Sequence, residues 1–402
     1  MIVLKNASVI DGTGAPPVKN ATVIVNGNKI DAVGPGVSAP DGADIIIDLK
    51  GKTILPGFID AHVHFGGADG FYHPGIGNRS ETYDYLKSRT NAIKWGITTI
   101  RSTGDYTPDI FEFRDEVNRG LHLSPRIIAA GRMIQARGGH PVSTVFGGDA
   151  AIADGACVLV DESTDLDKEV KALAGAGADW IKAFISEVNK LDYPAHVPRI
   201  PPDKIRRIVE LAHECGKPCA IHVDNISHMR EAALAGADCI EHVFSVGASD
   251  TEIDESLIEL LVKKQTYVVP TVFSIKAHEN PDGNMPLVYQ ILIRQVGKLI
   301  KAGVNLGVGT DSNIPFVSLG ESLHEELSEL VNCGMAPIDV IMAATYGNAK
   351  LLRKENEIGA VLPGYFADLA VVEGNPADDI NLTKNIRFVI MDGRIMMRAA
   401  SG

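Results

Sequence analysis

Cysteine is scarce in this chain. Cys157, Cys215, Cys219, Cys239 and Cys333 are odd in number and include no Cys-x-x-Cys pair, so neither a disulfide framework nor a zinc ribbon is expected. Cys215 and Cys219 flank the turn Gly216-Lys217-Pro218 and read as ordinary buried thiols. No apolar run is long enough to cross a bilayer. The start, Met1-Ile2-Val3-Leu4-Lys5-Asn6, lacks a basic stretch followed by an apolar one. No secretory signal is therefore expected, and the cytoplasm is the expected location. Positive charge is also in short supply, with a formal net charge of −13. A surface that acidic repels phosphate backbones and anionic lipid, which argues against nucleic acid and membranes as partners. A small molecule is the partner expected instead. Periodicity says nothing of oligomeric state, so a homo-oligomer is left open.

What is present is ordinary globular composition, 45% hydrophobic and 22% charged over 402 residues. That length suits a large barrel plus a minor domain. Residues 1–56 read as short strands, such as Ala21-Thr22-Val23-Ile24-Val25, broken by turns such as Asn26-Gly27-Asn28. The far end behaves likewise: Phe388-Val389-Ile390-Met391 is followed by the hairpin signal Asp392-Gly393. The two ends, 1–56 and 359–402, are expected to meet in one small β-sandwich.

Residues 57–358 alternate apolar runs with amphipathic helical stretches, which argues for a parallel sheet. Eight strands are expected at Phe58–Val63, Thr98–Ser102, Arg126–Ala130, Trp180–Ile185, Ala220–Val223, Cys239–Val243, Tyr267–Val272 and Leu306–Thr310. Helices are expected between them, including Pro202–Cys215, Glu255–Lys264 and Glu321–Cys333. Eight such units fit a closed (β/α)₈ TIM barrel better than an open sheet, so the fold class is α/β. Barrel chemistry sits at the C-terminal ends of the strands.

The polar residues expected at those ends form a set. His62 and His64 are two apart on an extended segment, so both imidazoles point the same way, as suits Zn²⁺ or a similar ion. His222 and His242 end adjacent strands. Asp311 follows Gly307-Val308-Gly309-Thr310, where it could ligate a metal and accept the proton of a bound water. Lys182 stands inside the apolar run Trp180–Ile185, where a buried ammonium is costly and loses proton affinity. Its free amine could capture CO₂ as a carbamate, a carboxylate-like bridge. Bland alternatives stay open: a chance surface pair for His62 and His64, a turn aspartate for Asp311, a snorkelling lysine for Lys182.

Together these residues resemble the amidohydrolase superfamily in its carbamylated-lysine, two-metal form. The matching pieces are Leu55-Pro56-Gly57-Phe58-Ile59-Asp60-Ala61-His62-Val63-His64, then Lys182, His222, His242, Thr310-Asp311 and the later Pro363-Gly364-Tyr365-Phe366-Ala367-Asp368-Leu369. The resemblance implies two divalent ions, zinc first among the candidates. It assigns His62, His64 and Asp311 to one ion and His222 and His242 to the other, with carbamylated Lys182 as the bridge. It further implies a metal-bridging hydroxide that attacks an amide-type carbonyl, with Asp311 as proton shuttle. Ala136-Arg137-Gly138-Gly139-His140 and Ile240-Glu241-His242 are similar to the imidazolonepropionase-like and prolidase/carboxypeptidase-like branch, which gives His140 a role at the substrate.

One position departs from that branch. Where several carboxypeptidase-like members carry a tyrosine, two residues past the fifth-strand histidine, this chain has Asp224. Asp224 is either a binder of a substrate cation or a cap for the next helix. Arg101, Arg137 and Arg199 are unranked candidates for a substrate carboxylate, with His228, Tyr72, His73 and His196 weaker site candidates. The reading is an amide-bond hydrolase acting on a dipeptide, an N-acyl amino acid or a cyclic amide. A lactonase, phosphotriesterase or deaminase on the same centre, or a non-catalytic barrel that binds ligands, are the competing readings.

Overall fold

The structure is a computed structural model that describes residues 1–66, 85–187, 197–243, 252–277, 285–314 and 316–398. Five strands open the chain: β1 (Ile2–Val9), β2 (Val18–Asn26), β3 (Lys29–Pro35), β4 (Ile45–Asp48) and β5 (Thr53–Pro56). β1, β2 and β3 form an antiparallel meander, while β4 and β5 both pair parallel to β1.

Nine strands follow in the middle. They are β6 (Phe58–Val63), β7 (Ile97–Ser102), β8 (Arg126–Ala129), β9 (Met133–Ala136), β10 (Cys157–Val160), β11 (Ile181–Ile185), β12 (Cys219–Val223), β13 (Cys239–Glu241) and β14 (Tyr267–Val269). All their pairings are parallel. One sheet runs β6-β7-β8 and the other β10-β9-β11-β12-β13-β14. Parallel sheets covered by helices are apolar on both faces, and β6, β7, β11, β12 and β13 are buried at every residue.

The segment from Leu306 to Ser312 links the two sheets. Leu306 bridges Val268 on one side and Ser312 bridges Val63 on the other, both parallel. Between them the Ala61 N–H donates to the Val308 carbonyl at 2.9 Å. At the opposite seam the Asp179 N–H donates to the Ala129 carbonyl at 2.8 Å. This segment lies where the eighth strand was expected. The pair β9 and β10 was not expected. Each has only four residues, and Gln135 interrupts the apolar run of β9, so neither shows a clear period.

Helices lie at the expected places, among them Pro202–Glu214, Ile226–Ala235, Glu255–Lys264 and Glu321–Asn332. Gly236 ends the second of these at φ 92, a conformation that costs glycine no Cβ clash.

The chain closes with β15 (Leu369–Val372), β16 (Ile386–Met391) and β17 (Arg394–Arg398). β15 lies antiparallel to β5, so strands from both chain ends share one sheet in the order β17-β16-β15-β5-β1-β2-β3. The β16–β17 turn has φ 50 at Asp392 and φ 72 at Gly393, the two positive values that a tight two-residue hairpin requires. A separate apolar cluster including Leu4, Val23, Ile54, Val371 and Ile390 holds this sheet. Each such side chain contributes roughly 1.5–3 kcal/mol on burial. All five cysteines are free, and Cys215 is only half-buried, which corrects its reading as a buried thiol. No helix among the described residues is long and apolar enough to cross a membrane.

Candidate metal centre

β6 delivers His62 and His64 to one end of the parallel strands, and the turn after Thr310 delivers Asp311. Asp311 Oδ1 lies 3.3 Å from His62 Nε2 and 3.2 Å from His64 Nε2. One ligand-type atom from each of the three falls within 4.8 Å of the others. The Asp311 backbone, at φ 57, donates its N–H to the His62 carbonyl at 2.8 Å. The carboxylate is therefore pinned to the strand that carries the histidines.

The rings are oriented by their other nitrogens. His62 Nδ1 meets Glu241 Oε2 at 2.7 Å, His64 Nδ1 meets the Gly104 carbonyl at 2.8 Å, and His242 Nδ1 meets Thr271 Oγ1 at 2.7 Å. In each, Nε2 is the nitrogen left for a ligand role. His222 is reversed: its Nε2 is 3.0 Å from Asp224 Oδ1, so Nδ1 would serve. The rings are neighbours, with centroids 5.0 Å apart for His62–His242 and 4.6 Å for His222–His242.

Lys182 comes up from β11 into the same place. Its Nζ is buried and has no hydrogen-bond partner among the described residues. Burial pulls its pKa down to about 8, and nearby Arg101 adds to this, while Glu241 and Asp311 oppose it. Burial would raise the Asp311 carboxyl, but His62, His64 and His242 outweigh it and hold the group well below the usual range. His242 is held well below the usual imidazole range by burial first, then by His222. It is thus neutral, the form that ligates metal. Four imidazoles, a carboxylate and an orphaned amine form a nitrogen- and oxygen-rich donor set that fits a divalent ion such as zinc.

His140 joins this group. It follows β9, its Nδ1 is 2.6 Å from Thr144 Oγ1, and its ring centroid is 4.9 Å from that of His222. One pocket is lined by His62, His64, Lys182, His222, His242, Asp311 and His140, with Met133, Pro141, Phe146 and Phe184 as apolar walls.

The other site expectations fall elsewhere. Asp224 is buried, accepts from Ser186 Oγ at 2.6 Å and from the Glu187 N–H at 3.1 Å, and does not line the pocket. Nor does it cap the next helix; Asn225 does, accepting from the His228 N–H at 2.8 Å. The capping reading of Asp224 is thereby corrected; its Oδ1 lies 3.0 Å from His222 Nε2 and orients that ring. Arg137 is 61% exposed in its side chain and pairs with Asp161 at 2.8 Å, away from the pocket. Arg199 pairs with Glu231. Arg101 is fully buried against Glu241 at 2.6 Å and stacks on Trp180, so it faces no substrate. His228 is buried with Nε2 3.3 Å from Glu187 and is not part of the lining. Tyr72, His73 and His196 lie outside the described residues.

Sequence reasoning missed two acids that shape the site. Glu241 joins Arg101 to His62, and the Arg101 guanidinium first of all overcomes burial to hold its carboxyl low. Asp60 accepts from the Thr310 N–H at 3.1 Å and Thr310 Oγ1 at 2.8 Å, stapling β6 to the segment that ends in Asp311. Burial pushes the Asp60 carboxyl up to about 7. The signal was there in both cases: a lone acid inside an apolar strand.

Comparisons with known proteins find relatives along nearly the whole chain. The model of the family described as "Amidohydrolase family" matches residues 53–396. Ochratoxinase of Aspergillus niger is 24% identical over 405 residues, covering 93% of this chain and 81% of its own length. Imidazolonepropionase of Cutibacterium acnes is 25% identical, covering 88% of this chain and 83% of its own. A solved Xaa-Pro dipeptidase with methionine bound in its active site is 28% identical. It superposes with a TM-score of 0.82 over 99% of this chain and 100% of that one.

Proposed function

This chain belongs to the amidohydrolase family, and from that premise we propose that it is a metal-dependent hydrolase of an amide-type carbon–nitrogen bond in a small molecule. The two parallel sheets and the 306–312 segment are read as one (β/α)₈ barrel spanning 57–358. The segments 1–56 and 359–402 then make the small β-sandwich. The observation that carries the functional reading is Lys182: a buried amine with no hydrogen-bond partner among the described residues, inside a pocket of five histidines and an aspartate.

His62, His64 and Asp311 would hold one divalent ion and His222 and His242 a second, zinc being the favoured metal. Lys182 would bridge them as its carbamate. The neutral amine adds to the carbon of CO₂ and releases a proton, which turns an orphaned donor into an anionic oxygen ligand. Bound divalent ions supply a Lewis acid and lower the pKa of water to roughly 7.

The chain's own groups do the rest. Asp311, ionised and hydrogen-bonded to His62 and His64, takes the proton of the attacking water and passes it to the departing amine. His140, locked at Nδ1 by Thr144, presents its other nitrogen to the substrate carbonyl oxygen. Met133, Phe146 and Phe184 favour an apolar group beside the scissile bond and keep bulk water out. The likeness to a Xaa-Pro dipeptidase supports a dipeptide-like substrate.

The test is metal analysis of the purified chain together with a screen of zinc-loaded protein against dipeptides, N-acyl amino acids, cyclic amides and lactones. About two ions per chain with turnover of an amide supports the proposal. Turnover of lactones alone, or no bound metal and no turnover, contradicts it.

A further inference from the structure

The first N–H groups of a helix have no partner within it and are ordinarily capped by the side chain just before. In the helix Val272–Ala277 that place belongs to Thr271. Thr271 caps nothing here: its hydroxyl is 2.7 Å from His242 Nδ1. The residue is fully buried and sits at φ 49, an outlying conformation for a β-branched side chain.

The missing cap comes from another helix. Glu326, on Glu321–Asn332, accepts from the Val272 N–H at 3.0 Å through Oε1 and from the Phe273 N–H at 2.6 Å through Oε2. Glu326 is fully buried, and Glu329 and Asp60 both oppose its ionisation. An apolar side chain would pack there at less cost. Glu329, almost one turn on, holds the far end of the short helix, accepting from Lys276 Nζ at 2.6 Å. One helix thus grips both ends of the segment that begins at Thr271.

We propose that Glu326 is a positioning residue of the metal centre: it caps the 272–277 helix in place of Thr271, leaving the Thr271 hydroxyl to fix His242 Nδ1 and aim Nε2 at the ion. This rests on the reading of His242 as a ligand. Glu326 acts only through Val272, Phe273 and Thr271, so a purely structural anchor is the rival account.

Full-length, metal-free wild type, Glu326→Gln, Thr271→Val and the double variant are titrated with Co²⁺ alone at a pH above the Glu326 carboxyl's value of about 8, so that both of its oxygens accept. Stoichiometry, affinity and the visible absorption band are recorded. The imidazole ¹⁵N shifts of His242 are measured in the metal-free chains. In Glu326→Gln, an amide N–H₂ replaces one acceptor and confronts a backbone N–H. The weaker ion should then bind about tenfold less tightly, as expected for loss of a group supporting a ligand. Its band should shift, and the His242 shifts should move toward a tautomer mixture. Thr271→Val should do the same, and the double variant should be no worse than Thr271→Val.

Wild-type affinity, band and His242 shifts in Glu326→Gln, with only a lower melting temperature, would overturn the proposal. So would losses that multiply in the double variant. Thr271→Val leaves the cap intact and decides the matter even if Glu326→Gln fails to fold: unchanged affinity and shifts there overturn it. A wild-type chain that takes up no Co²⁺, or a His242→Ala variant that keeps both ions, defeats the ligand reading itself and this inference with it.

Discussion

His62, His64 and Asp311 form one half of the candidate centre; His222 and His242 form the other. The first half is assembled by charge. Its carboxylate already sits between two imidazoles, and His62 is backed by Glu241, itself held by Arg101. The second half has two rings face to edge, backed by Asp224 and by a hydroxyl, and burial keeps His242 neutral. It brings no acid of its own to the pocket, where Asp311 is the sole carboxylate among the described lining residues. On the proposed reading, this difference is what a carbamate on Lys182 would answer. One half is ready for a cation; the other needs an anion, and an uncoupled amine beside it can become one by taking up CO₂.

The comparison breaks most visibly at Asp311. Asp311→Asn keeps the ring geometry but cannot accept a proton, so kcat falls about 10³-fold or more while bound metal is largely retained. Steady-state kinetics with metal analysis checks this, and retained activity removes Asp311 as the proton shuttle. Next comes Lys182→Ala. Metal content should drop from two ions to one, with the first half still loaded, and short carboxylic acids should restore part of the second ion. Unchanged metal content would erase the asymmetry between the halves.

Glu241→Gln strikes the first half. It loosens His62, weakening one ion roughly 10–100-fold. It also leaves Arg101 buried without its partner, costing about 3–5 kcal/mol of stability. Denaturant titration and metal affinity together test this, and the second ion should be less affected.

A smaller effect follows from Glu326. Burial pushes its carboxyl from 4.5 up to about 8 in the folded chain. A folded pKa above the unfolded one favours folding at low pH, and the benefit is lost as pH rises through the folded value. The melting temperature of metal-free protein should therefore fall from pH 5 toward about 9, and Glu326→Gln should flatten that fall. An equally steep fall in the variant would contradict it. The smallest effect is at Arg137, where an exposed ion pair contributes about 0–1 kcal/mol. Arg137→Ala should leave kcat/KM within about twofold of wild type; a large rise in KM would return that arginine to the substrate.

Much of this arrangement was legible in the sequence because barrel-type strands are written as apolar runs with a polar residue at the tip. Phe58–Val63 was placed to the residue, and the runs ending near His222, His242 and Asp311 were placed within a few. Those side chains, with Lys182 and His140, all line one pocket. What was not legible depends on pairs far apart in the chain. Arg101 looked like a free cation because nothing local shows that Glu241, 140 residues away, neutralises it. Arg137 looked site-like because it neighbours His140, yet its guanidinium swings out to Asp161. Asp224 was judged by the residue it replaces rather than by its reach back to His222 and Ser186. Thr271 carries no sequence signal at all, since its role follows from a helix that Glu326 caps in its stead.

The most direct test of the account is ¹³C NMR of the zinc-loaded chain prepared in ¹³C-bicarbonate, read beside zinc content. The account predicts one carbamate resonance per chain, absent in Lys182→Ala, together with two zinc ions. A fully loaded, active chain with no carbamate signal would contradict it.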